Sequence, residues 1–317
     1  MKRLAAFVVG VGLAGVALAA QVGPNSTIYR SPVDLVPVFA TVTDATNRVV
    51  SGLAREDFTV RDNGVVRDLT VFDSAPRSMR LVLMLDVSAS MRPNLILLRE
   101  ACEEVFKRLR PGDGVRIGTF GREITIAPAF SGDVDDLRRA LPADINMRAL
   151  TPLWRAVDAG MSVLEDADSR PVLMVFSDGR DSGPSPGERE ITRAQVLARA
   201  AREGIMVYAV GLHSFGGNAL PAGAVTITRT GDARPDPGLS ALATGTGGRY
   251  FEVDVDPKRD LGAAFGAAMD ELHGQYLLGF SSANDGAVHQ IDVAVTRPGF
   301  NVRARRTYQA PLPEQRN

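Results

Sequence analysis

Three short stretches of this chain are apolar at nearly every position: Leu81-Val82-Leu83-Met84-Leu85, Val172-Leu173-Met174-Val175-Phe176 and Ile205-Met206-Val207-Tyr208-Ala209-Val210. A strand with one wet face alternates polar and apolar residues. A continuous run of this length needs cover on both faces, as strands of a parallel sheet have. Residues 115–120 and 249–253 supply two further strands of the same kind. Between the runs, Leu98, Ala101, Cys102, Val105, Phe106 and Leu109 recur at spacings of three and four, which makes one apolar helical stripe. Pro111-Gly112-Asp113-Gly114 stops that helix. Further helices are expected over 133–141, 152–165, 188–203, 238–244 and 258–273. Strand–helix alternation implies right-handed crossovers. The expected fold over 78–274 is therefore a doubly wound, mostly parallel α/β sheet with helices on both faces. The Gly-, Pro- and Thr-rich stretch 213–237 reads as a surface insertion.

The flanks follow another rule. Phe58-Thr59-Val60 and Val65-Val66 surround Asn63-Gly64, a strong signal for a tight hairpin. Residues 33–44 form another strand, with Pro37 best placed at an edge. Beyond the α/β region, 276–280, 289–296 and 302–308 read as three strands, with His289, Ile291, Val293 and Val295 on one face. Either flank alone has barely enough strands for a core. The expectation is that 28–77 and 275–310 pair into one small β-sandwich-like domain, with the α/β domain inserted between them.

Lys2 and Arg3 precede an apolar stretch from Leu4 to Ala20 that ends Ala17-Leu18-Ala19-Ala20. This pattern reads as a signal peptide over 1–20, cleaved near Ala19/Ala20, with a secreted or periplasmic product and no stable membrane span after its removal; it is favoured over an uncleaved membrane anchor because small residues crowd the end where a peptidase would cut. Gly10, Gly12 and Gly15 spell a dinucleotide fingerprint inside it, but no strand precedes them, so the match is accidental. The formal charge of −1, and basic residues nowhere interleaved with stacking aromatics, exclude nucleic acid as a partner. Cys102 is the single cysteine and lies on an apolar helix face, so no intrachain disulfide forms and core packing must hold the fold.

Chemistry concentrates at strand ends. Asp86-Val87-Ser88-Ala89-Ser90 follows the first apolar run, Asp178-Gly179 follows the run ending Phe176-Ser177, and Thr151-Pro152 opens the helix between them. Ligands of open parallel sheets bind beyond the carboxyl ends of strands, where strand order reverses. Two carboxylates and three hydroxyls would meet there. Hard oxygen donors without His or Cys select Mg²⁺, with Mn²⁺ or Ca²⁺ as alternatives, over zinc or copper. Neutral hydroxyl ligands leave the cation under-neutralised, so a partner's carboxylate becomes a favourable further ligand. Each piece has a plainer reading: Ser88 and Ser90 as helix caps, Thr151 as an N-cap before Pro152, Asp178-Gly179 as a turn. Their joint occurrence at strand ends favours the metal.

Asp86-x-Ser88-x-Ser90, Thr151 and Asp178 resemble the metal-ion-dependent adhesion site of von Willebrand factor A domains. The resemblance covers about residues 78–274. It implies that Ser88, Ser90 and at times Thr151 ligate the metal directly, while Asp86 and Asp178 act largely through water. Ala89 stands where glycine is usual, and Ala149-Leu150 precede Thr151 where such domains often have glycines. The flanks, with Val42-Thr43-Asp44, Asp57-Phe58, Asp62-Asn63-Gly64 and Tyr276-Leu277-Leu278-Gly279, resemble those of bacterial secreted VWFA-related proteins.

The expected function is cation-dependent binding of a protein or cell-surface ligand that offers a carboxylate, without enzymatic activity. One alternative is a scaffold whose metal site is vestigial or structural. A remoter one is a haloacid dehalogenase-type phosphohydrolase with Asp86 as nucleophile. That chemistry needs an acid two residues on, where this chain has Ser88. Neither a G-x-S-x-G elbow nor an H-E-x-x-H pair occurs. The last helix, 258–273, runs directly into Tyr276-Leu277-Leu278, an adjacency through which ligand binding could reach the β flanks.

Overall fold

A computed structural model describes residues 35–75, 78–145, 150–165, 169–184, 187–213, 235–253 and 257–312. The expected signal segment 1–20 and nearly all of the 213–237 insertion lie outside the described residues. The chain divides after Val33, and everything described belongs to the unit Asp34–Asn317.

In chain order the elements are β1 (Leu35–Thr43), β2 (Phe58–Asp62), β3 (Val65–Arg67), β4 (Val71–Asp73), β5 (Met79–Asp86), α1 (Leu95–Phe106), β6 (Gly114–Phe120), β7 (Ile124–Ile126), α2 (Val134–Ala140), α3 (Leu153–Ser162), β8 (Arg170–Ser177), α4 (Arg193–Glu203), β9 (Met206–Leu212), α5 (Pro237–Gly245), β10 (Tyr250–Val253), α6 (Pro257–His273), β11 (Tyr276–Ser281), β12 (Val288–Val295), β13 (Asn301–Arg303) and β14 (Thr307–Gln309).

The central sheet has the order β10-β9-β8-β5-β6-β7. Five strands are parallel, and the short β7 returns antiparallel to β6. Both faces are covered, as the continuous apolar runs require. Leu81, Leu83, Leu85, Met174 and Phe176 pack with α1 and α6 residues such as Leu98, Cys102 and Phe265. Val82, Met84, Leu173 and Val175 pack on the other side with Leu153, Val157, Val196 and Leu239 of α3, α4 and α5. Each such fully buried side chain contributes roughly 1.5–3 kcal/mol relative to exposure. Cys102 is buried among them, and burial pushes its thiol pKa up, which makes it an inert core residue.

The chain leaves β5 toward β6 and then crosses back to place β8 on the opposite side of β5. The switch point therefore lies between the carboxyl ends of β5 and β8.

The flanking strands form two further sheets, β13-β1-β11-β4 and β14-β12-β2-β3, and each draws strands from before and after the α/β region. They enclose a shared core of Val38, Ala40, Val60, Tyr276, Leu278, Phe280 and Tyr308. Asn63 (φ 48°) and Gly64 (φ 81°) make the tight turn between β2 and β3. Both positive angles suit Asn-Gly in a hairpin turn that follows strand twist. Pro37 lies on the half of β1 that pairs only with β11; the β13 ladder begins at Thr41. Its missing N–H thus costs no ladder bond.

Four details differ from the sequence reading. Neither β4 nor β7 was expected: at three residues each is too short for periodicity to reveal. The strand expected over 302–308 is broken into β13 and β14, which join different sheets. Helix α4 begins at Arg193 rather than near 188, because Thr192 caps it and pairs reciprocally with Gln195.

Candidate metal centre

Asp86 is the last residue of β5 and is fully buried. The Ser88 amide donates to its Oδ1 at 2.8 Å, and the Ser177 hydroxyl donates to its Oδ2 at 2.6 Å. These bonds close the turn after β5 and tie it to the end of β8. Burial pushes the Asp86 pKa up, opposed by the Ser177 and Ser88 hydrogen bonds. No arginine, lysine or histidine forms an ion pair with Asp86 among the described residues.

The hydroxyls continue the constellation. Ser88 Oγ lies 3.1 Å from Ser90 Oγ, and Ser90 Oγ donates to Asp178 Oδ1 at 2.8 Å. Ser88 and Asp178 are buried, whereas Ser90 is exposed and forms the solvent side of the group. The plainer capping role fails here. Ser88 precedes a short 3-10 turn, Ala89–Asn94, without any side-chain cap, and Asn94 rather than a serine precedes α1. The serine hydroxyls are directed at each other and at Asp178 instead.

Thr151 approaches from the α3 side. Pro152, not Thr151, is the cap residue of α3, and no side chain caps that helix. Thr151 is held by a reciprocal pair with the loop after β8: its amide donates to Ser182 Oγ at 3.0 Å, and the Ser182 amide donates to its carbonyl at 2.9 Å. A Cβ on Gly179 would stand 3.2 Å from Thr151 Oγ1. The glycine after Asp178 thus lets the threonine hydroxyl come close to that loop. All of Asp86, Ser88, Ser90, Thr151 and Asp178 therefore lie on turns that are bonded or packed to one another at the switch point.

Sequence reasoning missed the tethers. Ser177 and Ser182 supply the hydroxyls that fix Asp86 and Thr151, and the Asp181 carboxylate accepts from Trp154 N at 3.3 Å at the start of α3. Phe176-Ser177-Asp178-Gly179 carried part of that signal. Ser182 carried none, since its role depends on which loop folds beside it.

Asp86 is a buried carboxylate without a counter-charge among the described residues, beside clustered hydroxyls. Among the described residues no three His, Cys, Asp or Glu side chains converge as a metal site, so a soft or all-carboxylate centre has no support. Two carboxylates with hydroxyl oxygens suit a hard dication that retains water. The residues fit.

Residues 81–180 match the family model described as von Willebrand factor type A domain. Those residues carry the sequence pattern of a von Willebrand factor type A domain. No curated protein matches the chain. Solved structures similar to it include BatB of Bacteroides thetaiotaomicron, at 18% identity and TM-score 0.47, covering 62% of this chain and 98% of that one. Another is the von Willebrand factor type A protein of Catenulispora acidiphila, at 11% identity and TM-score 0.48, covering 90% and 76%. A third is the mussel byssus proximal thread matrix protein 1 with a zinc-occupied MIDAS motif, at 14% identity and TM-score 0.46, covering 65% and 48%. In this chain the family match ends just beyond Asp178, so it spans Asp86, Ser88, Ser90, Thr151 and Asp178 but not the tethers Asp181 and Ser182.

Proposed function

We propose that the von Willebrand factor A domain of this chain binds a divalent cation through Ser88, Ser90 and Thr151, with Asp86 and Asp178 as its charge partners, and that the bound cation captures a carboxylate of a protein partner. The observation that carries this reading is the hydrogen-bonded path from Ser88 to Ser90 to Asp178, beside a fully buried Asp86 that no side-chain cation neutralises among the described residues. A dication would supply the missing positive charge and, with neutral hydroxyls around it, retain Lewis acidity for an anionic ligand. Mg²⁺ is the preferred ion on donor hardness, with Mn²⁺ and Ca²⁺ as alternatives. Ser90 offers the exposed side, and Leu150, 57% exposed beside Thr151, gives the partner an apolar contact at the rim.

The expected product is exported and acts as a binding or assembly module. No helix among the described residues is long and apolar enough to cross a membrane. A scaffold role without metal is the competing reading, and calorimetry separates the two. Mg²⁺ should bind the wild type saturably, and Asp86→Ala and Ser88→Ala should each abolish the heat. An unchanged titration in either variant overturns the assignment. A pull-down from an envelope fraction, run with Mg²⁺ and with chelator, then tests the partner: equal recovery under both conditions supports the scaffold.

A further inference from the structure

We propose that the cavity beside Arg305, at the seam between the β-sandwich and the α/β domain, binds a short-chain aliphatic carboxylate. Its volume is about 120 Å³. Pro37 and Phe39 of β1, Pro171 of β8 and Met206 of β9 supply apolar wall, and Arg305 supplies the charge. Pro171 and Met206 are at the N-terminal ends of their strands. The cavity therefore lies at the sheet edge opposite the metal centre, and the proposal does not depend on the metal.

Arg305 is fixed by its backbone but not by its head group. It bridges to Thr246, and the neighbouring Arg306 amide donates to Gly245 O at 3.2 Å, which pins this segment to the end of α5. Its Nε is buried with no hydrogen-bond partner, and among the described residues no carboxylate pairs with the guanidinium. Burial pulls its pKa down to about 10, so it remains cationic at neutral pH. The Tyr308 ring, 5.9 Å away, offers only a weak cation–π contact. The C-cap Gly204 of α4 is adjacent, but a helix terminus supplies only a diffuse partial charge. Glu203, the acidic residue on the lining, is already held by Arg199 at 3.0 Å and Arg202 at 2.8 Å. The Arg305 side chain is only partly buried, but holding its Nε out of water without a partner among the described residues is costly, and an anion in the adjoining cavity offsets that cost.

The shape and walls choose the anion. One guanidinium fork matches a carboxylate in bidentate fashion, whereas a phosphate asks for several donors. At about 30 Å³ per water, the space equals about four waters. It suits a carboxylate with an aliphatic tail of about three carbons, whose tail meets proline, phenylalanine and methionine.

The test is calorimetric titration of the full chain with butyrate, butyramide and inorganic phosphate at constant ionic strength. A ligand of about six non-hydrogen atoms should bind with Kd on the order of millimolar. Butyramide and phosphate should each bind at least tenfold more weakly. Arg305→Met should lose butyrate binding at least tenfold while keeping its Mg²⁺ titration, and Arg305→Lys should retain part of the affinity. Absence of saturable butyrate binding overturns the proposal, as does equal binding of butyramide or equal binding by folded Arg305→Met. Phosphate binding as tight as butyrate overturns the ligand class. If Arg305→Met does not fold, the wild-type comparison of acid with amide decides by itself.

Discussion

At the residue scale, the polar groups that matter most are buried carboxylates, and they are satisfied in different ways. Among the described residues Asp86 is held by hydroxyl and amide donors, whereas Asp62 in the sandwich is enclosed by cations. His289 Nδ1 lies 2.6 Å from Asp62 Oδ1, Arg67 donates to Asp62 Oδ2 at 2.8 Å, and the Tyr308 hydroxyl is 3.2 Å away. On its other side, His289 Nε2 is 3.0 Å from Asp285, and Asn63 also touches the ring. The Asp62 hydrogen bond, reinforced by Asp285 and opposed by burial, raises the His289 pKa above its ordinary 6.5. Such a histidine holds its proton more tightly folded than unfolded. Its stabilisation is complete below about pH 6.5 and is lost as pH rises through the folded value. Melting temperature should therefore fall with rising pH across that window, and His289→Gln should flatten the dependence. A wild-type profile that rises over the same range would contradict this.

At the element scale, caps decide where helices begin. Thr192 accepts from Gln195 N, and the Gln195 side chain accepts from Thr192 N at 2.8 Å, a reciprocal pair spelled Thr-x-x-Gln. This start was legible, but the acidic residues before it, Glu188 and Glu190, extend the polar pattern and mask the boundary. Thr192→Ala should cost about 1 kcal/mol, read as a lower urea midpoint at unchanged slope. No loss would mean that packing alone sets the register of α4. The turns around the candidate metal centre obey the opposite logic: their hydroxyls do not cap α1 or α3.

At the scale of the whole molecule, the two flanks are parts of one structure. β1 pairs with β11 from Leu35 to Ala40, β4 pairs with β11, and β2 pairs with β12 from Phe58 to Asp62. The seam to the α/β domain is polar and buried. Gln275 donates to Thr41 at 2.7 Å, Arg170 donates to Gln275 and to Leu272 O, and Glu271 accepts from Tyr208 and Arg249 and pairs with Arg303. Breaking such a network strands buried polar groups, which costs more than losing apolar contact of the same area. We propose that 35–77 and 275–312 form a single folding unit that neither half sustains alone. Expressed singly, each flank should be rapidly proteolysed. Two separately protease-resistant flank fragments would overturn this.

Sequence alone determined the parts that depend on local periodicity and local turn chemistry. Continuous apolar runs required strands covered on both faces, Asn63-Gly64 required a tight hairpin, and oxygen donors at Asp86, Ser88, Ser90, Thr151 and Asp178 were readable because each sits at a predicted element end. Tertiary structure alone decided which turns meet, and with that the roles of Ser177 and Ser182. It also divided β13 from β14, enclosed His289 between two carboxylates and left Arg305 beside a cavity with no carboxylate partner among the described residues. These outcomes depend on contacts between residues far apart in the chain, and no spacing along a sequence encodes the distance between two side chains brought together only by packing.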